Sequence, residues 1–122
     1  MILVDTSIWI DHFQSGNEGL VALLNGSQVS MHPFVLGELA CGNLRQRKEI
    51  LALLKDLPQA TVAQDKEVLF FIEQHKLMGK GIGYVDAHLL AAGLLNSNTR
   101  LWTRDKRLGA LANKLNIEYS RV

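Results

Sequence analysis

Four acidic residues in this chain of 122 residues have apolar neighbours in the sequence, a setting in which a charged carboxylate is costly. Asp5 ends an apolar run, and Asp105 closely follows another. Glu38 and Asp86 lie within helical patterns, on stripes of apolar residues. An unpaired buried carboxylate takes up a proton or finds a cation. Because four carboxylates at one point would repel one another, their convergence would imply a divalent metal, as in a metal-dependent hydrolase.

The types of these residues indicate which metal they would bind. An all-carboxylate site without clustered Cys or His favours Mg²⁺ or Mn²⁺ over zinc. The four histidines show no metal-ligand spacing, so structural or surface roles are expected for them. One or two hard ions can activate water and stabilise an in-line displacement, so phosphodiester hydrolysis is the predicted chemistry. Thr103 lies two residues before Asp105, where its hydroxyl could orient a water molecule or a phosphate.

A simpler interpretation exists for each acid taken alone. Asp5 and Asp105 both fit the role of a helix N-cap. Capping is also an equal or better interpretation for Thr6 and Ser7, whose hydroxyls could otherwise serve the site. Two acids at strand ends and two on apolar helical stripes are harder to explain separately, and their combination favours a joint site.

Short strands alternate with helices along the chain. The strands are predicted at residues 1–4, 28–32, 60–63, 100–103 and 117–120. The main helical patterns cover residues 33–42, 43–54, 65–78, 84–95 and 105–115. This alternation predicts an α/β fold with a central parallel sheet of four to five short strands, flanked by helices. Ligands of such sheets bind beyond the carboxyl ends of the strands, where Asp5 and Asp105 belong.

The composition is that of one folded domain. A chain of 122 residues can bury roughly two-thirds of its unfolded surface, and 48% hydrophobic and 20% charged residues are ordinary for a globular protein. The single Cys41 excludes an intramolecular disulfide. No apolar run approaches the ~20 residues that span a bilayer. We therefore expect a small cytoplasmic protein without a membrane-spanning segment.

Four segments, taken in order, resemble the motifs of a known family. They are Val4-Asp5-Thr6-Ser7 and the segments at residues 32–39, 84–92 and 101–105, which read HPFVLGEL, YVDAHLLAA and LWTRD. Each motif alone is weak, but four in this order within a chain of this size are specific. The chain resembles the PIN-domain ribonucleases of the VapC toxin type over essentially its whole length.

The resemblance implies a fold and a biological role. The fold would be an α/β/α sandwich in which residues 1–122 form a single PIN domain. The activity would be Mg²⁺- or Mn²⁺-dependent endoribonuclease cleavage that leaves a 5′-phosphate and a 3′-hydroxyl. The protein would be the toxin of a type II toxin–antitoxin system, a homodimer that a cognate VapB-type antitoxin inhibits.

The resemblance also implies site residues. Asp5 and Asp86 would be the principal metal ligands, and Glu38 and Asp105 would complete the acidic pocket. Thr103 matches the hydroxyl that the family usually has near the last acid. The chain departs from the family pattern directly after this acid, where relatives often carry another acid and an aromatic residue.

An acidic pocket that receives RNA needs basic groups around its rim. One candidate group consists of Arg45, Arg47 and Lys48, for which a solvated helix face is an equally good interpretation. The favoured group brackets two of the acids in the sequence and consists of Lys80, Arg104, Lys106 and Arg107.

Two other functions fit parts of the pattern. A catalytically silent PIN-like module would only bind a partner, and the presence of all four acids argues against it. A phosphoacceptor signalling domain also has an acidic pocket beyond a parallel sheet. That fold needs paired acids after its first strand, where this chain has Asp5 alone.

Overall fold

A short parallel sheet lies at the centre of the computed structural model, which describes residues 1–120 of the chain. Its strands are β1 (Ile2–Val4), β2 (Val29–Ser30) and β3 (Arg100–Trp102), in the order β2-β1-β3. Both neighbours run parallel to β1. All three residues of β1 are buried, as expected for a central strand with helices on both of its faces.

Helices alternate with these strands. The helices found within residues 1–120 are α1 (Thr6–Ser15), α2 (Glu18–Asn25), α3 (Pro33–Cys41), α4 (Arg47–Lys55), α5 (Asp65–Gln74), α6 (Tyr84–Leu95) and α7 (Lys106–Lys114). Helix α1 packs beside α3, and α5 packs beside α6. The predicted α/β class and its helix-flanked parallel sheet are confirmed.

The sheet has fewer strands than the predicted four to five. Isolated parallel bridges are found at Gln59, just before the predicted strand at residues 60–63, and at Glu118, within the predicted strand at residues 117–120. Each bridge adds a single residue pair to one edge of the sheet. Residues 60–63 lie in an irregular segment, so the apolar pattern there reflects burial of Ala63 and not strand pairing.

Two helices are shorter than predicted because of local backbone geometry. Gln46 adopts a left-handed conformation with φ of 49°, so α4 begins at Arg47 instead of residue 43. Lys76 adopts a similar conformation with φ of 53° and ends α5 before the apolar pattern ends. Asp65 is the first residue of α5, and Gln64 occupies the cap position.

Helix α6 is the most buried helix of the described chain. All residues from 87 to 93 are buried, and His88 is the one polar residue among them. A Cβ atom added at Gly93 would lie 2.8 Å from Ile117 Cδ1, so glycine permits close packing there. Both ends of α6 reach the molecular surface, where Tyr84 and Leu95 are exposed. No helix within residues 1–120 is long and apolar enough to cross a membrane.

Candidate functional site

Two of the predicted site residues follow neighbouring strands. Asp5 comes directly after β1 and caps α1, while Asp105 follows β3 and caps α7. Val4 pairs with Trp102 across the two strands, and the Asp5 amide donates to the Trp102 carbonyl at 2.9 Å. The parallel pairing therefore brings both acids to the same edge of the sheet. Capping and membership of a joint site are compatible at both positions.

Asp5 is a buried carboxylate surrounded by hydrogen-bond donors. Its side chain accepts from the Thr6 amide at 2.7 Å, from Ser7 Oγ at 3.1 Å and from Thr103 Oγ1 at 2.6 Å. The residue is 7% exposed. These three donors compensate for the lost hydration of the charge and fix the orientation of the carboxylate.

Thr103 connects the two acids at the strand ends. Its hydroxyl donates to Asp5 Oδ2 and accepts from the Asp105 amide at 3.0 Å. The sequence predicted that this hydroxyl would orient a water molecule or a phosphate. In the structure it orients Asp5, so its observed contacts are those of a positioning group.

Glu38 and Asp105 are exposed, which corrects the expectation that all four acids have apolar surroundings. On α3 the buried stripe consists of Val35 and Leu39, and Glu38 lies at the border of that stripe. Glu38 Oε1 accepts from Thr6 Oγ1 at 2.7 Å. Asp105 caps its helix by accepting from the Leu108 amide at 2.9 Å. Both carboxylates thus lie at the open rim of the site.

The pKa of Asp86 depends on the charges of the other three acids. Burial raises its pKa above the usual value, and the amide of Gly83, which donates to Asp86 Oδ2 at 3.1 Å, acts in the opposite direction. The charges of Asp5, Asp105 and Glu38 raise the pKa further. The four carboxylates therefore share one electrostatic neighbourhood, which we call the acidic edge.

The acidic edge is not a preformed metal cage. Within residues 1–120, no three side chains of His, Cys, Asp or Glu are arranged to hold a metal ion. Each acid instead uses one or both oxygens for a local hydrogen bond. One oxygen each of Glu38, Asp86 and Asp105 makes no hydrogen bond with the described residues. This set of free carboxylate oxygens suits a hard cation chemically, and the ligand roles themselves stay predictions.

A second polar cluster lies at the N-cap of α3 and on α6, the helices that carry Glu38 and Asp86. It consists of His32 and His88, which are 0% and 1% exposed; we call them the histidine pair. Nδ1 of His32 accepts from the Phe34 amide at 3.0 Å and so caps α3. Burial, with a smaller contribution from His88, lowers the pKa of His32 to about 4. These contacts agree with the structural role expected for the histidines.

Asp65 contacts this second cluster, which the sequence did not indicate. Its Oδ1 lies 3.2 Å from His88 Nε2 and accepts from the Tyr84 hydroxyl at 2.8 Å. Local sequence patterns could not predict this contact, because Asp65 and His88 are brought together only by the packing of α5 against α6. His88 is thus directed away from Asp86, as expected for residues two positions apart on an α-helix.

The basic residues around the acidic edge differ in their partners. Arg104 forms an ion pair with Asp11 at 2.7 Å, so part of its charge is neutralised. Asp11 is therefore the ion-pair partner of Arg104. Lys80, Lys106 and Arg107 are exposed, on the loop before α6 and in the first turn of α7. The loop precedes Asp86 in the chain, and Lys106 and Arg107 directly follow Asp105.

Comparison with known proteins adds independent information. The family model described as "PIN domain" matches residues 2–114. The chain is also similar to Ribonuclease VapC32 from two strains of Mycobacterium tuberculosis, CDC 1551 / Oshkosh and ATCC 25618 / H37Rv. Each relative is 47% identical over 110 residues, which cover 90% of this chain and 89% of the relative. The match spans all four acids and Thr103.

Proposed function

Because the chain belongs to the PIN-domain family, and within it to the VapC ribonucleases, we propose that it is the toxin of a type II toxin–antitoxin system. Its activity is the hydrolysis of RNA phosphodiester bonds as an endoribonuclease. The observation that supports this most strongly is the crowding of Asp86 by three other carboxylates at the edge of the sheet.

The acidic edge is the proposed site of a divalent cation. Its donors are carboxylate oxygens without Cys or His, a set that fits Mg²⁺ or Mn²⁺ better than zinc. Asp5 and Asp86 are the proposed principal ligands, with Glu38 and Asp105 at the rim. Bound there, the cation supplies acidification of water and neutralisation of charge on the phosphate.

The chain's own residues prepare this site for an anionic substrate. Thr103 and the Thr6 amide hold the Asp5 carboxylate in a single orientation. Thr6 also donates to Glu38, so one short segment after β1 positions acids from two elements. Preorganised groups of this kind lower the cost of assembling the reactive geometry. The mutual repulsion of the carboxylates is relieved when a cation binds, which favours binding.

A catalytically silent PIN-like module is the main alternative. Such a module would have no need for a raised pKa at Asp86 or for a threonine committed to Asp5. A phosphoacceptor role is less well supported because Asp5 is the single acid that follows β1. The endoribonuclease is therefore the better-supported function.

A groove between helices is the proposed contact surface for the antitoxin. It has a volume of about 320 Å³ and is lined mainly by apolar residues of α1, α2 and α4 and of the turn after α4: Trp9, His12, Phe13, Leu24, Ile50, Leu53, Leu54 and Leu57. Helix α1 begins at the acidic edge, so a partner in this groove lies within reach of the site. An apolar segment of the VapB-type antitoxin is the occupant we propose.

Leu53 provides a test of this groove because it is 65% exposed and so contributes little to the core. Leu53→Glu should weaken antitoxin binding at least tenfold, since the antitoxin would bury a charge against apolar residues. Cleavage of RNA by the free toxin should be unchanged. Calorimetric titration with the antitoxin measures the affinity. If the wild type and Leu53→Glu bind the antitoxin with equal affinity, the groove is excluded as the contact surface.

The ribonuclease proposal is tested with purified protein and total RNA. We expect cleavage in Mg²⁺, none in EDTA, and recovery when Mg²⁺ is restored. The new ends should carry a 5′-phosphate and a 3′-hydroxyl. Cleavage that is indifferent to chelation would contradict the metal mechanism. A small antitoxin encoded in the neighbouring reading frame would support the toxin role. The homodimer and the cytoplasmic location stay predictions, testable by light scattering and by fractionation.

A further inference from the structure

The side chain of Arg107, on helix α7, packs directly on the backbone of the loop before α6. Gly79 and Gly81 in this loop both have left-handed backbones, with φ of 68° and 79°. A Cβ atom added at Gly81 would lie 2.5 Å from Arg107 Nη1 and 2.6 Å from Arg107 Cδ. A Cβ atom added at Gly79 would meet nothing within 4 Å. Gly81 therefore forms the surface on which the Arg107 side chain lies.

This contact is located at the rim of the acidic edge. Arg107 is in the first turn of α7, two residues after the cap Asp105. Gly81 is two residues before Gly83, whose amide donates to Asp86. The Arg107 side chain thus connects the segment that positions one acid with the segment that positions another.

The guanidinium of Arg107 has its donors available. Among residues 1–120 it forms no ion pair and no hydrogen bond, although Asp105 lies two residues before it in the chain. Arg104, three residues earlier, is by contrast paired with Asp11. An arginine near carboxylates usually pairs with one of them. The Cδ, Cζ and Nη1 atoms of Arg107 pack on Gly81, and no carboxylate of residues 1–120 compensates the charge of the guanidinium.

We propose that Gly81 seats Arg107 so that its guanidinium binds a backbone phosphate of the RNA substrate beside the acidic edge. This inference rests on the proposed ribonuclease function and assigns a substrate-positioning residue to it. Four carboxylates repel a polyanion, so a fixed cation at their rim is needed to bring the phosphate in. The planar fork of arginine matches the oxygens of a phosphate, which a lysine does not.

The two glycines allow a matched test. Gly81→Ala and Gly79→Ala introduce the same strain at a left-handed position, but only Gly81→Ala displaces Arg107. We expect Arg107→Gln and Gly81→Ala each to raise the KM for RNA about tenfold with little change in kcat. Gly79→Ala should keep the wild-type KM. The double variant Arg107→Gln/Gly81→Ala should be no worse than Arg107→Gln alone, because both changes remove one interaction.

A second readout separates this inference from the proposed function. Affinity for a fluorescent RNA oligonucleotide, measured in the Asp86→Asn background, does not require cleavage. There Arg107→Gln should weaken binding about tenfold and reduce the slope of log affinity against log salt by about one. Arg107→Gln could lose RNA binding while the wild type does not cleave RNA. That result would overturn the ribonuclease proposal, but binding of RNA by Arg107 would still be supported. Unchanged KM, affinity and salt slope in Arg107→Gln, or equal effects of Gly79→Ala and Gly81→Ala, would overturn the inference.

Discussion

The acidic edge and the histidine pair are two polar clusters built on the same helices. Helix α3 begins after His32 and carries Glu38, while α6 carries both Asp86 and His88. At the acidic edge the groups are carboxylates, and Glu38, Asp86 and Asp105 each keep one oxygen free of hydrogen bonds with the described residues. At the histidine pair the rings are buried between helices, and His32 is neutral because its pKa is lowered to about 4.

The difference shows how position around a helix separates chemistry from structure. Asp86 and His88 are two residues apart, which corresponds to about 200° around an α-helix. One side chain faces three other carboxylates, and the other faces Asp65. Repulsion is tolerated where solvent or a cation can relieve it. In the interior, one ring nitrogen of each histidine has a partner: His32 Nδ1 accepts from the Phe34 amide, and His88 Nε2 contacts Asp65.

The largest expected effect is at Asp86. Asp86→Asn keeps an oxygen that can accept from the Gly83 amide but removes the charge. Cleavage of RNA should fall at least about a hundredfold because the proposed cation loses a principal ligand. Initial rates on an RNA oligonucleotide measure this. Asp65→Asn, at the histidine pair, is the control and should retain activity. Equal losses of cleavage activity in Asp86→Asn and Asp65→Asn would show that the two clusters do not differ in function.

The same substitution should affect stability in the opposite direction. The pKa of Asp86 is raised by burial and by the other acids, so the folded protein holds the Asp86 proton more tightly than the unfolded chain. The free energy of unfolding therefore decreases as the pH rises through and above the usual aspartate range. Without metal at neutral pH, Asp86→Asn should melt a few degrees higher than the wild type. A lower melting temperature would mark Asp86 as a structural residue.

Much of this distinction was predictable from the sequence. Parallel α/β alternation placed Asp5 and Asp105 at one edge, because residues that follow parallel strands must meet there. Helical spacing separated His88 from Asp86. The exposure of Glu38 was not predictable, because helical periodicity locates a stripe but not its border. The packing of Arg107 on Gly81 was not predictable either. These two residues are 26 positions apart in the chain, and local sequence patterns do not predict contacts at that separation.

An intermediate effect is expected at Thr103, which supports the acidic edge through Asp5. Thr103→Val keeps the shape but removes the hydroxyl that donates to Asp5 at 2.6 Å. Cleavage should fall about tenfold, and the free energy of unfolding should fall by about 1–3 kcal/mol, because a buried carboxylate loses a donor. Urea denaturation and initial rates measure the two effects. Thr103→Ser restores the hydroxyl and should recover most of both; its failure to do so would argue against the hydrogen bond.

The smallest effect at neutral pH is expected at His32. Its folded pKa of about 4 lies below the usual 6.5, so the unfolded chain binds a proton first as the pH falls. Stability is therefore full above 6.5 and decreases toward pH 4, by at most about 1.4 kcal/mol per pH unit. His32→Asn keeps an acceptor for the Phe34 amide without titrating. It should cleave RNA normally and show a shallower decline of stability. If the free energy of unfolding of His32→Asn declines with falling pH as steeply as that of the wild type, another group causes the loss of stability in acid.

The most direct test of the acidic edge is the binding of Mn²⁺, followed by the electron paramagnetic resonance signal of the free ion. Wild type, Asp86→Asn and Asp65→Asn are compared under identical conditions at neutral pH. If the acidic edge holds the divalent cation, the wild type and Asp65→Asn bind Mn²⁺ alike and Asp86→Asn binds at least about tenfold more weakly. Equal binding by all three proteins, or stronger loss in Asp65→Asn, would contradict the assignment of the cation to the acidic edge.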